Sequence, residues 1–179
     1  MMMPYRTLAG IAFVAAAATA AWALPPVGTV PPRVEVENVA ARAMRPLPDA
    51  RPVLVMYEDK DAQAQNDHAR KVLGKITDRA ENRARFEFAA VADVASWNWW
   101  PAKKYVLADL QKIAARENTV LFADWTGALR KAWGMKAHKS TLVLTGADGK
   151  VLFAGEGTLT DAQIAALVGE LKKLGCRVD

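Results

Sequence analysis

The chain has 179 residues, of which 52% are hydrophobic and 24% charged, with a formal net charge of +5. This length and apolar fraction predict one globular domain with its own core, and they exclude collagen-like and wholly disordered chains. The single cysteine excludes a disulfide scaffold and any mechanism that needs two thiols in one molecule. The mild positive charge gives no reason of its own to expect nucleic acid as a partner.

Residues 1–23 have the pattern of a secretory signal peptide. Arg6 precedes an uncharged, alanine-rich run, and Ala21 and Ala23 are the small residues that a signal peptidase reads. The apolar run is short for a membrane-spanning helix, which needs about 20 residues. We therefore expect a cleaved signal and a periplasmic or secreted protein. An uncleaved anchor is the alternative, and only in that case would a membrane be a partner.

Residues 24–50 are rich in proline, which predicts an extended N-terminal linker. Apolar and polar residues alternate over 33–37, so a short edge strand fits within this segment. A change of character at residue 52 places the folded domain at 51–179.

From residue 52 onward, strand and helix patterns alternate. Apolar runs predict strands at 53–57, 86–92 and 119–123, and a hairpin of 141–145 and 150–154 around Asp148-Gly149. Helices are predicted over 62–83, from Pro101 through about 114, over 124–133 and over 160–174. Asp61 is the predicted N-cap of the first and Asp124 the cap of the third. A capping box begins the last helix, and Gly175 ends it. This order predicts an α/β domain with a mixed central sheet and helices on both faces.

The order of elements resembles the thioredoxin fold. The resemblance is clearest over residues 123–174, which contain Ala132-Trp-Gly-Met135, the Asp148-Gly149 hairpin and Gly155-Glu-Gly-Thr-Leu-Thr160. Among such proteins the chain is most similar to the periplasmic YtfJ-type family, cysteine-free thioredoxin-like proteins whose function is poorly defined. The resemblance implies a three-layer sandwich. It places Ala62 and Gln65 where redox members carry Cys-x-x-Cys, and Lys139-Ser140 where they carry a proline, so both redox hallmarks are missing.

Polar residues follow the first buried strand. Ligands of open α/β sheets bind beyond the carboxyl ends of the strands, so Glu58, Asp59, Asp61 and Asn66 are candidate binding residues. We name residues 59–61 the acidic loop. With Asp67 and His68 it could supply metal ligands, but the spacing matches no specific metal motif, and we expect capping and solvation instead.

Residues 97–101, which we name the tryptophan loop, contain Trp97, Trp99 and Trp100. The indoles could form an aromatic binding surface for a partner or small ligand, or they could cover the core where Pro101 begins a helix. Lys103 and Lys104 follow directly, which would suit an anionic group. Nucleic acid is not expected, because no recognition motif accompanies this patch.

The remaining candidates have ordinary interpretations. Cys176 follows the end of a helix, where the helix dipole favours the neutral thiol, so we expect no catalytic role for it. His138 is expected to be a surface histidine, and Lys139 beside it is a candidate binding residue near the site. A basic series is expected to form a solvated helix face: Arg70, Lys71, Lys75, Arg79, Arg83 and Arg85.

The sequence thus predicts an exported thioredoxin-fold protein without the redox dithiol. We expect non-catalytic binding of an envelope protein or small ligand, with no cofactor and no metal. The alternative is an enzyme that uses the Cys176 thiol or a metal-assisted site at the acidic loop.

Overall fold

Strand β3 (Val53–Glu58) runs through the middle of the molecule because its residues are apolar and buried on both faces. The computed structural model describes residues 23–178. The predicted signal peptide lies outside the described residues, apart from Ala23. Within residues 23–178, no helix is long and apolar enough to cross a bilayer.

A seven-stranded mixed sheet has the order β2-β1-β5-β4-β3-β6-β7. Strands β3, β4 and β5 are parallel neighbours, whereas the β1–β2 and β6–β7 pairs are antiparallel. The other strands are β1 (Val34–Asn38), β2 (Ala43–Leu47), β4 (Glu87–Asp93), β5 (Leu121–Asp124), β6 (Thr141–Thr145) and β7 (Val151–Glu156). The helices are α1 (Asp67–Thr77), α2 (Ala80–Arg83), α3 (Ala102–Glu117), α4 (Ala128–Ala132) and α5 (Asp161–Lys173), with a 3₁₀ turn at Ala95–Trp97.

Helices cover both faces of the sheet, as predicted. On one face, α1 and α5 pack over β3 and β6 around Leu73 and Leu167, and α3 packs over β5 around Leu107. On the other face, Leu129 of α4 and the buried Trp133 cover β3 and β5. The three-layer α/β architecture predicted from the sequence is therefore confirmed.

The proline-rich segment is packed against the sheet. Leu24 contacts the core on the α4 face, and Gly28 and Thr29 exchange backbone hydrogen bonds of 2.8 Å with Val151. The indole of Trp133 donates a 2.8 Å hydrogen bond to the carbonyl of Pro32. Strands β1 and β2 then form a hairpin that extends the sheet beyond β5.

Helix α1 differs from its prediction. It begins at Asp67 instead of residue 62 and ends at Thr77. Asp61 is not its N-cap, because Asn66 takes that position and the carboxylate of Asp59 holds the preceding turn. Arg79 has an extended backbone (ψ 125°), which separates α1 from α2.

Other elements follow their predictions closely. Strand β5 begins two residues late, because Asn118 is left-handed (φ 47°) and Thr119 still donates to the carbonyl of Ala114 at the end of α3. The β6–β7 hairpin turns at Gly149 with φ 76°, a conformation that glycine adopts readily. The capping box at Thr160 and Gln163 is present.

Candidate functional site

The acidic loop is closed by its own side chains and by residues before β6. Oδ1 of Asp59 accepts hydrogen bonds from the backbone N–H groups of Asp61 (3.0 Å) and Ala62 (2.9 Å). Oδ2 of Asp59 accepts from the backbone N–H of His138 (3.0 Å) and lies 2.9 Å from its Nδ1. This carboxylate therefore fixes both the turn after β3 and its contact with the His138 segment.

Gln65 binds the same segment with its side-chain amide. Its Nε2 donates to the carbonyl of His138 (2.8 Å), and its Oε1 accepts from the N–H of Ser140 (3.1 Å). The amide thus binds a backbone carbonyl and a backbone N–H group as a neighbouring strand would, and His138, which supplies the carbonyl, has a positive φ of 59°. At this position, where the resemblance to the thioredoxin fold places a cysteine of its redox members, the chain has an amide that makes two backbone hydrogen bonds.

Behind the loop lies a buried polar cluster centred on Ser140. The Ser140 hydroxyl donates to Oε1 of Glu58 (2.6 Å), and Nδ2 of Asn66 donates both to that hydroxyl and to the carbonyl of Gly157 (2.8 Å each). Oδ1 of Asn66 accepts from the N–H of Leu159 (2.9 Å). Asn66, a predicted binding residue, is therefore buried and joins α1 to β6 and the start of α5.

Glu58 lies in this cluster and is ion-paired with Arg70. Burial raises the pKa of the Glu58 carboxyl above its ordinary value, and the hydrogen bond from Ser140 and the charge of Arg70 partly offset this effect. Arg70 also lies 2.8 Å from Asp67. Arg70 therefore departs from the predicted solvated basic face, because it is half-buried and ion-paired, whereas Lys71, Lys75, Arg83 and Arg85 of that face are exposed.

Asp59, Asp61 and His138 bring possible metal ligands together. One ligand atom from each lies within 4.8 Å of the others, and Nδ1 of His138 is 3.3 Å from Asp61. Asp61 and His138 are exposed, and Lys139 beside them is exposed as well. Sequence spacing did not predict that His138 lies beside Asp59 and Asp61, because His138 is distant from the acidic loop along the chain.

The tryptophan loop is exposed. The exposed fractions are 39% for Trp97, 57% for Trp99 and 86% for Trp100. The interpretation in which these indoles cover the core is therefore wrong. The loop is anchored by buried Val94 and by a hydrogen bond from the N–H of Ala95 to Asp93 (3.2 Å).

The core tryptophans of the described chain are Trp125 and Trp133, both buried. The ammonium of Lys103 lies 4.6 Å from the ring centroid of Trp125, so this lysine is engaged by a buried ring instead of the exposed ones. Lys60 of the acidic loop lies 5.9 Å from the ring of Trp97. The acidic and tryptophan loops are therefore neighbours on one surface.

Acidic residues also end β4 and β5, and they form a second polar network. Asp93 and Asp124 are paired in register, the hydroxyl of Tyr57 donates to Asp124 (3.1 Å), and Arg130 is 2.8 Å from Asp93. Burial, together with the charges of both aspartates, raises the pKa of Tyr57. Helix α4 begins at Ala128 with Gly127 as its N-cap, later than predicted, but the carboxylate of Asp124 still accepts from the N–H groups of Ala128 and Leu129 in its first turn.

Cys176 is buried in the core beside α5. Burial raises the pKa of its thiol, an effect that the nearby charge of Arg85 partly offsets. The start of α5 contacts Asn66 of the site, and its thirteen residues span about 20 Å before Cys176 is reached. The thiol is therefore protonated more readily than an exposed one and lies far from the acidic loop.

Comparisons with known proteins agree with this architecture. The family model YtfJ_HI0045, described as a bacterial protein of unknown function, matches residues 100–174. The chain has a thioredoxin-like fold, and its C-terminal part is similar to the YtfJ_HI0045 family. Its one cysteine lies outside the loop where the redox members of the fold carry theirs. No curated protein matches the sequence.

Several solved structures share the fold at low sequence identity. A putative thiol:disulfide interchange protein DsbE from Chlorobium tepidum is 18% identical, with a TM-score of 0.60 over 83% of this chain and 97% of that one. A putative protein disulfide isomerase from Bacteroides thetaiotaomicron is 13% identical (TM-score 0.61; 83% and 89%). A thiol peroxidase from Chromobacterium violaceum is also 13% identical (TM-score 0.57; 84% and 88%).

Proposed function

We propose that this YtfJ-type chain is an exported, non-catalytic binding module that contacts an envelope protein or small ligand through its tryptophan loop and acidic loop. The exposure of Trp99 and Trp100 is the observation that carries this proposal. Large aromatic side chains contribute most to binding when a partner removes them from water, and contiguous exposed apolar groups mark interaction sites. Lys60 connects the two loops through its contact with Trp97.

The absence of a dithiol supports a role other than thiol redox chemistry. Two proteins that share the fold are described as a putative thiol:disulfide interchange protein and a thiol peroxidase. In this chain Ala62 is buried and Gln65 is hydrogen-bonded, at the positions where the resemblance places the two cysteines. The loop has therefore become a rigid support, which holds an adjacent surface in place without reacting.

Affinity capture from an envelope extract tests the binding surface. We expect the Trp99→Ala, Trp100→Ala double variant to recover at least tenfold less partner than the wild-type chain, because the contact loses both rings. Both rings are exposed, so its urea unfolding midpoint should match the wild type. Met44→Ala, which removes an equally exposed (57%) side chain from β2, is the control and should retain the partner. Equal recovery by all three proteins would contradict the proposed surface.

A reductase and peroxidase assay separates this proposal from single-thiol chemistry. We expect wild type and Cys176→Ser to show the same background rate, since the thiol is buried and its pKa is raised. Turnover present in wild type and abolished in Cys176→Ser would identify an enzyme instead of a binding module.

A metal-assisted site at the acidic loop is the second candidate, favoured by the proximity of Asp59, Asp61 and His138. It is the weaker one, because Asp59 already accepts hydrogen bonds at both oxygens. Metal analysis of the purified protein, with Asp61→Ala as control, tests it. Stoichiometric metal in wild type that disappears from Asp61→Ala would support this candidate.

A further inference from the structure

The central strand β4 is fully buried on one face but only half-buried on the other. It lies between β5 and β3 in the seven-stranded sheet. Ala89 and Val91, which point toward the α4 face, are buried, but Phe88, Ala90 and Ala92 on the opposite face are half-buried. Strands in the middle of a sheet with helices on both faces are normally buried on both sides. The helical layer therefore has a gap above β4.

This gap is a groove of about 480 Å³ between α1 and α3. The core on this face is divided into two separate clusters, one including Leu73 and one including Leu107, and the groove runs between the two helices that carry them. Small residues create it: Ala90 and Ala92 form part of the floor, and a Cβ added to Gly74 of α1 would meet no atom within 4 Å. The groove therefore exists because the side chains that line it are small.

The size of the groove limits what can occupy it. Small-molecule sites measure about 300–1,000 Å³ and are lined mainly by apolar groups with a few polar ones. The volume of this groove therefore fits a small molecule.

Charge at both ends of the groove defines the chemistry of that molecule. Glu58 and Arg70 form an ion pair at one end, and Arg116 lies 2.9 Å from Glu117 at the other. A charged ligand would have to compete with one of these pairs. Asp67, which also contacts Arg70, adds a further negative charge that disfavours anions.

We propose that this groove binds a small, uncharged amphipathic molecule. Its apolar body lies over Ala90 and Ala92, and a hydroxyl or amide head exchanges hydrogen bonds with Glu58 and Arg70. The site lies between α1 and α3 and does not include the tryptophan loop, so it does not depend on the function proposed above.

Two fluorescent probes with the same aromatic body test the proposal. N-phenyl-1-naphthylamine is uncharged, and 8-anilinonaphthalene-1-sulfonate adds one anionic group. We expect chain 24–179 to bind the uncharged probe saturably at one site and the sulfonate at least tenfold more weakly. Equal affinity for the two probes, or no saturable binding of the uncharged one, would overturn the proposal.

Variants locate the probe. Ala90→Leu fills the floor and should weaken binding of the uncharged probe at least tenfold, whereas Ala115→Leu, the same change at an exposed position of α3, should leave it unchanged. Ile113→Ser, on the partly exposed wall of the groove, should weaken binding of the uncharged probe several-fold. This variant tests the same site if Ala90→Leu does not fold. Unchanged affinity in folded Ala90→Leu or in Ile113→Ser would place the probe elsewhere. The double tryptophan variant should bind the probe normally, which separates this site from the capture surface.

Discussion

At the residue scale, the Glu58 carboxylate joins three parts of the molecule. It lies at the end of β3, forms an ion pair with Arg70 of α1 and accepts a hydrogen bond from the Ser140 hydroxyl beside β6. Its pKa is raised, and burial is the largest cause. A carboxyl whose pKa is raised by folding binds a proton more tightly in the folded than in the unfolded chain. Its contribution to stability is therefore complete below the unfolded pKa and is lost as the pH rises through the folded value.

Replacing this carboxyl should expose that pH dependence. We expect the free energy of unfolding of Glu58→Gln to increase relative to that of wild type as the pH rises from about 4 to 7, because only the wild-type carboxyl ionises and loses stability in this range. Urea denaturation of both proteins across this range measures the difference. Glu35→Gln, which removes an exposed carboxylate from β1, controls for the loss of one negative charge. A relative stability that falls with rising pH would mean that the Arg70 ion pair outweighs burial.

Sequence position predicted Glu58 and Asp59 as site residues because both directly follow a buried strand. It did not show that Gln65 and Asn66 bind groups more than 70 residues away along the chain, at His138, Ser140 and Gly157. Such partners depend on how β6 is placed beside β3, and no local pattern encodes that. The exposure of the tryptophans was undecided for the same reason, since Trp125 and Trp133 occupy the core instead.

At the scale of elements, the sequence predicts correctly the start of a helix or the position of a turn where neighbouring residues alone determine it. The capping box at Thr160 and the turn at Gly149 follow from side-chain and backbone preferences, and both are present. The predicted start of α1 is wrong because Asp59, which also binds the distant His138, holds residues 59–62 in a separate turn, and the helix begins only after Asn66. Its end was wrong because extended Arg79 interrupts an otherwise helical pattern.

Asp124 provides a test of how one side chain supports an element. It is buried, accepts from the N–H groups of Ala128 and Leu129 at the start of α4, and accepts from the Tyr57 hydroxyl. Asp124→Ala should lower the free energy of unfolding by about 3 kcal/mol, because it removes a cap and leaves buried donors without acceptors. Urea denaturation measures this loss. In the matched control Asp148→Ala, at an exposed hairpin position, the change should stay below about 1 kcal/mol, and equal losses would contradict the assigned role.

At the scale of the whole molecule, the alternation of strands and helices predicted the sheet and its layers. Composition did not show how extensively the N-terminal segment takes part in the sheet and the core. Proline density indicated a linker, whereas residues 34–47 form a hairpin that pairs with β5. Leu47 and Val36 are fully buried in the same core cluster as Phe122 and Trp133. Proline is compatible with an edge strand such as β2, so its presence did not exclude a place in the sheet.

Removing this segment should therefore unfold the domain. Chain 51–179 exposes the edge of β5 and the α4-face core, so we expect it to lose the cooperative urea transition that chain 24–179 shows. Chain 33–179 keeps the hairpin but loses the contacts of Leu24, Gly28 and the Pro32 carbonyl, and its midpoint should lie between those extremes. Circular dichroism in increasing urea distinguishes the three. A cooperative transition of chain 51–179 at the midpoint of chain 24–179 would show that the N-terminal segment only lies against a domain that is already complete.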